Sequence, residues 1–149
     1  MIDLRAALQC VLLATLVVLP ACGMTSGTPA SGTLTARLSG ASEVPAVKSD
    51  ASGTVEASLN KETNVLSWTV TYSGLSGPAT AGHFHGPAIA GQNAGVVIPL
   101  DGNLASPIKG TATLTAEQVA DLVAGKWYLN LHTAANPKGE IRGQVTDKT

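Results

Sequence analysis

The chain has 149 residues, a length that suits a single domain. Charged residues make up 13% of it, against about 25% in ordinary domains. With 44% hydrophobic residues and a net charge of −1, it is neither a disordered charged tail nor a basic nucleic-acid binder, and two cysteines without CxxC spacing exclude a disulfide-rich scaffold.

The first segment reads as an address. One arginine, Arg5, precedes Ala6–Leu19, which is almost wholly apolar. That run is shorter than the roughly 20 residues a bilayer-spanning helix needs, and it suits the apolar region of a signal peptide. It ends Leu19-Pro20-Ala21-Cys22-Gly23, which resembles the cleavage and lipidation signal of bacterial lipoproteins. Pro20 stands where that signal usually has a small or β-branched residue. The resemblance implies cleavage before Cys22, a lipid on its thiol and membrane attachment. Acyl chains contribute roughly 0.8 kcal/mol per buried CH2, so several of them anchor stably. Residues 1–21 are then a signal peptide. Residues 22–32, rich in Gly, Ser, Thr and Pro, form a flexible tether, with the folded domain at 33–146 and a short tail at 147–149.

From Thr33 onward the dominant period is two. Leu34, Ala36 and Leu38 alternate with polar neighbours, as do Val55, Ala57 and Leu59, and then Leu66, Trp68, Val70 and Tyr72. Such alternation marks half-buried strands. Asn60–Asn64 is a polar break of hairpin length. Further strands are expected at Ala79–His85, Gly95–Leu100, Ile108–Leu114, Trp127–Thr133 and Glu140–Thr146. One helix interrupts them: Thr115 and Gln118 have capping-box spacing, Val119, Leu122 and Val123 share a face, and Gly125 sits where a left-handed C-terminal residue belongs. Many short strands with turn signals predict a mainly β fold, an antiparallel β-sandwich of Greek-key type, immunoglobulin- or superoxide-dismutase-like, with one short helix.

All three histidines fall in two short motifs, Gly82-His83-Phe84-His85-Gly86-Pro87 and Tyr128-Leu129-Asn130-Leu131-His132-Thr133. One residue separates His83 from His85, so on a strand they share a face. His132 shares a face with Tyr128 and Asn130. Strand pairing that brings the three imidazoles together makes a ligand set suited to copper or zinc with a coordination position left open. Asp101 or Glu140 is a candidate oxygen donor or second-layer acceptor. The competing reading is a buried network of His, Asn130, Thr133, Glu140 and Arg142 that fixes strands to loops; a small-molecule or peptide site on the same residues is a third. Glu140 and Arg142 alternate with Ile141 and are expected on one side, pairing with each other or with strand neighbours. Ala88–Ala94 is a candidate covering loop, and Trp68 and Trp127 are expected in the core. The chain carries no GxSxG elbow, P-loop, dinucleotide fingerprint or evident carboxylate pair.

Together with Glu43-Val44-Pro45 and Asn136-Pro137-Lys138-Gly139-Glu140-Ile141-Arg142-Gly143, these motifs resemble the CHRD domain family, named for its occurrence in chordin, over Leu34 to Val145. The resemblance implies a β-rich extracellular module. Chordin binds growth factors, and kinship of fold does not carry that ligand over. The His-x-His strand is also similar to part of the copper site of Cu,Zn superoxide dismutase, although this chain lacks that enzyme's further histidines, zinc loop and disulfide. The expected function is a non-catalytic binding or structural module, lipid-anchored at Cys22 to the cell membrane or outer membrane and facing the periplasm or exterior. An envelope protein is its expected partner, and nucleic acid is not. The alternative is a copper- or zinc-binding protein using His83, His85 and His132, with redox activity in prospect.

Overall fold

The computed structural model describes residues 31–148. The expected signal peptide, the lipidation site Cys22 and most of the tether lie outside the described residues. Eight strands follow in order: β1 (Ser31–Ser39), β2 (Ser52–Asn60), β3 (Val65–Ser73), β4 (Ala79–His85), β5 (Val96–Pro99), β6 (Ile108–Thr113), β7 (Trp127–Thr133) and β8 (Ile141–Asp147). A helix, α1 (Ala116–Val123), lies between β6 and β7, and a short 3-10 turn, Gly40–Ser42, follows β1. The strand pattern begins two residues earlier than expected, since Ser31 and Gly32 pair with Asn60 and Leu59. At the other end Asp147 still pairs with Leu34.

All pairings are antiparallel and join the strands in one sheet, ordered β5-β4-β7-β8-β1-β2-β3-β6. The sheet is nearly closed. Phe84 on β4, near one end of that order, meets Trp68 on β3, near the other, edge to face with ring centroids 5.2 Å apart. The two edge strands border one cleft, with Ile98 and Pro99 on one side and Ile108 to Ala112 on the other.

The alternation decides which face is inside. Leu34, Ala36 and Leu38 from β1, Val55, Ala57 and Leu59 from β2, and Leu66, Trp68 and Val70 from β3 are all buried in one core with Phe84, Trp127, Leu129 and Leu131. Full burial of a side chain of this size contributes about 2 kcal/mol, so a one-residue slip that exposed such a row is strongly disfavoured. Asn60 shapes the β2–β3 turn, its Oδ1 accepting from the amides of Glu62 and Thr63.

The helix forms as its ends dictate. Thr115 and Gln118 make a reciprocal capping box, and Gly125 takes φ +69°. Of the face expected to be apolar, Leu122 is buried and Val119 partly so, whereas Val123 is 42% exposed. Eight residues reach the core with little more than one turn. No helix among the described residues is long and apolar enough to cross a membrane.

Candidate metal centre

β7 is flanked by β4 and β8, and register builds the site across these three strands. His83 stands opposite Asn130 and His85 opposite Tyr128. On the other side Arg142 stands opposite Asn130 and Gln144 opposite Tyr128. Opposed residues share a face, so two rows form, His83–Asn130–Arg142 and His85–Tyr128–Gln144. His132, two residues beyond Asn130, joins the same face. The opposite face of β4 and β7 supplies Phe84, Leu129 and Leu131 to the core. Because loops cover the polar face, six of the seven β7 residues are buried.

The three imidazoles converge, with one ligand nitrogen from each lying within 4.8 Å of the others. His83 Nδ1 is 3.1 Å from His132 Nε2. His132 Nε2 is 3.0 Å from Asn130 Oδ1, and His85 Nε2 is 3.1 Å from the same oxygen. The far sides of two rings are occupied: His85 Nδ1 donates to the Ala94 carbonyl and His132 Nδ1 to the Pro137 carbonyl, each at 3.0 Å. A carbonyl only accepts, so in the neutral rings Nδ1 carries the hydrogen and Nε2 keeps its lone pair.

Electrostatics favour the neutral forms of His83 and His85. Burial lowers the pKa of His83, and the charges of His132 and His85 lower it further. His85 is also lowered, chiefly by burial and then by His132 and Arg142, against the raising effect of its bonds to Ala94 and Asn130.

His85 lies flat on Tyr128, with centroids 4.7 Å apart and planes 4° from parallel, and Arg142 packs on the Tyr128 ring with its guanidinium carbon 3.4 Å from the centroid. The Arg142 guanidinium donates to the Gln92 carbonyl and to Asn93 Oδ1, holding the loop after β4 against the sheet. Asn93 in turn donates to the Val44 carbonyl. The segment expected as a cover is therefore strapped beside the imidazoles.

Glu43 is a site residue that the sequence did not single out beyond its motif. It is 7% exposed, and its Oε1 is buried without a hydrogen-bond partner among the described residues. Burial pushes its carboxyl up to about 7, against the lowering effects of the Arg142 charge, the Asn130 side chain and the Val44 amide. Only Gly139, at φ +126°, fits here, because a Cβ would run into Glu43 Oε1 and Asn130 Nδ2.

Thr133 and Glu140 form a separate cluster. The Glu140 carboxylate accepts from Ser49 Oγ at 2.8 Å, the Ser76 amide at 2.9 Å, Ser76 Oγ at 2.5 Å and Thr133 Oγ1 at 2.6 Å. Burial alone raises this carboxyl, but the Ser76, Thr133 and Ser49 donors prevail and bring it to about 2. Glu140 bonds neither an imidazole nor Arg142, so of the two expected pairings the one with Arg142 is corrected, and its partners are Ser49, Ser76 and Thr133. Glu140 precedes β8, where the pleat alternation that was to align the two does not apply. Asp101 also stays outside the imidazole group and lines the cleft between the edge strands. Of the four residues expected in a supporting layer or structural network, Asn130 contacts the imidazoles, Arg142 packs on Tyr128 and binds the loop, and Thr133 and Glu140 join a network with Ser49 and Ser76 away from the imidazoles.

Compared with known proteins, residues 34–145 match the family model described as the CHRD domain. No curated protein and no solved structure matches the chain.

Proposed function

The chain belongs to the CHRD domain family, and on that premise we propose that it is an extracytoplasmic module whose working part is a copper or zinc site built from His83, His85 and His132. The observation that carries this reading is the disposition of hydrogens. His85 and His132 both commit Nδ1–H to backbone carbonyls and both turn Nε2 toward one point, where Nδ1 of His83 also arrives. Fixing the far ring nitrogen to a carbonyl is how proteins orient imidazoles for metal. Metal–nitrogen bonds of about 2.0–2.1 Å place tetrahedral ligands about 3.4 Å apart; the His83–His132 pair at 3.1 Å already matches, and the three nitrogens, within 4.8 Å of one another, draw together around an ion. The lowered pKa values of His83 and His85 keep their lone pairs available at neutral pH. Imidazole donors without thiolate suit copper and zinc.

A bound ion there polarises whatever occupies its open position; the protein's part is to hold three rings in place and strap a loop beside them. In this reading the module is a binding rather than a catalytic one. We take its nearly closed sheet to be flattened into a sandwich, consistent with Phe84 and Trp68 meeting across the core. The same proposal places it on the outer side of a membrane, anchored through Cys22 and available to an envelope protein.

Two experiments test these parts. Metal analysis and titration of the purified protein with Cu²⁺ and Zn²⁺ should give one tightly held ion, lost in His83→Ala and in His132→Ala. Uptake that is unaffected by both substitutions rules out the site. For the anchor, Cys22→Ser should release the protein from membranes or block its maturation, and a variant that stays membrane-bound at full strength rules out the lipid.

A further inference from the structure

Resting on that metal reading, we propose that Asn130 is itself a ligand, its Oδ1 completing a three-nitrogen, one-oxygen donor set with His83, His85 and His132. The motif position of Asn130 suggested only a supporting role; the contacts argue for more. In neutral His85 and His132 both Nε2 atoms bear lone pairs, because both Nδ1 atoms donate to carbonyls. Each Nε2 nevertheless lies within 3.1 Å of Asn130 Oδ1, which is also an acceptor. His83 Nδ1–H can donate to His132 Nε2, but the two contacts of Nε2 with Asn130 Oδ1 set acceptor against acceptor with no hydrogen between them. Supplying the hydrogens by ionising both rings puts two like charges around one oxygen. A cation at the centre satisfies all of them at once.

The spacing agrees. Consecutive donor atoms His83 Nδ1, His132 Nε2, Asn130 Oδ1 and His85 Nε2 are 3.1, 3.0 and 3.1 Å apart. With the three imidazole nitrogens within 4.8 Å of one another, a small contraction brings all four atoms within reach of one ion.

The carboxamide stands with its oxygen toward the imidazoles. Its nitrogen lies on the Gly139 side together with Glu43 Oε1, since a Cβ on Gly139 would meet both atoms. No hydrogen bond joins the two atoms, so the orientation rests on the oxygen's place among the imidazoles. Gly139, lacking a Cβ, leaves the space that the Asn130 amide nitrogen and Glu43 Oε1 occupy. The rival arrangement is the reversed carboxamide, its two N–H groups donating to His85 and His132 in a metal-free network.

A neutral carbonyl oxygen and three neutral imidazoles leave the full charge of the ion in place, and a set without sulfur disfavours cuprous copper. The site should accordingly hold Cu²⁺ or Zn²⁺ in preference to Cu⁺.

Two substitutions in the full chain separate the arrangements. Asn130→Asp keeps an oxygen at Oδ1 and removes the amide hydrogens, while Asn130→Ala removes both. If Oδ1 is a ligand, Asp retains or tightens Cu²⁺ binding and shifts the copper spectrum, while Ala loses roughly 10–100-fold in affinity. If the carboxamide acts through its hydrogens, Asp and Ala lose affinity alike, and the assignment is overturned. Should either variant fail to fold, the wild-type protein decides. On titration with Zn²⁺ the Asn130 carboxamide carbon resonance should move with the same saturation as the imidazole resonances, and a carboxamide carbon that stays put overturns the assignment. Wild-type protein that takes up neither ion removes the metal reading itself, and this assignment with it.

Discussion

His83 and His132 lie 49 residues apart in the chain, yet His83 Nδ1 and His132 Nε2 are separated by only 3.1 Å. Their strands are neighbours, and the pairing of Ala81 with His132 places His83 diagonally across from it. Diagonal neighbours on one sheet face are within reach of long side chains. The imidazole group is thus a product of register.

Glu43 should make stability fall as the solution becomes less acidic. Its carboxyl is raised from 4.5 to about 7 in the folded chain, so the folded state binds that proton more tightly than the unfolded one. The stabilisation from this proton is complete below 4.5, declines as pH rises through about 7, and the loss totals about 3 kcal/mol. Glu43→Gln should therefore be more stable than the wild type at pH 8 and indistinguishable at pH 4, as read by urea denaturation. A gain of equal size at both pH values contradicts the burial argument.

Glu140 should act in the opposite sense. With its carboxyl lowered to about 2, it stabilises the fold fully above 4.5, and that contribution disappears as pH falls through 2. Glu140→Gln leaves two of the four donor groups facing an amide nitrogen and should cost about 3 kcal/mol near pH 6. The difference from the wild type should narrow toward pH 2, which a series of denaturation curves measures.

Gly139→Ala should damage both fold and site. The added methyl meets Glu43 Oε1 and Asn130 Nδ2, and the residue would have to hold φ +126°. Gly91 is the control, since it also has positive φ but meets nothing within 4 Å, so Gly91→Ala carries only about 1–2 kcal/mol of backbone strain. Thermal unfolding should rank wild type above Gly91→Ala and Gly91→Ala above Gly139→Ala, with Cu²⁺ affinity reduced only in the last.

Arg142→Lys should loosen the loop after β4 without unfolding the sheet. The ammonium of lysine cannot reproduce the fork that holds the Gln92 carbonyl and Asn93 Oδ1. Loss of about one hydrogen bond's worth, near 1.4 kcal/mol, is a roughly tenfold change in opening. Amide hydrogen exchange at 88–94 should quicken by about that factor while exchange in β2 and β3 stays unchanged.

Much of this was legible in the sequence. The β4 and β7 ranges followed from the alternation about Phe84 and Leu129, and Thr115 and Gln118 announced the helix start. The sharing of a face by Tyr128, Asn130 and His132 followed from period two. Less legible was anything set by register between distant strands. Arg142 lies over Tyr128 because β8 pairs with β7, and Glu140 sits apart because it falls just before β8 begins. Glu43 was visible only as part of a motif, since its burial depends on a turn packing against Gly139 many residues later. Val123 misled for a simpler reason: helical spacing gives the face, while the length of the helix decides how much of it reaches the core.

The central claim is that three imidazoles hold one ion. Calorimetric titration of the purified wild-type protein and of His132→Ala with Cu²⁺ tests it most directly. The wild type should take up one equivalent tightly, and the affinity of His132→Ala should be at least 100-fold weaker, a loss of about 2.7 kcal/mol. Equal heats from the two proteins, or none from either, would contradict it.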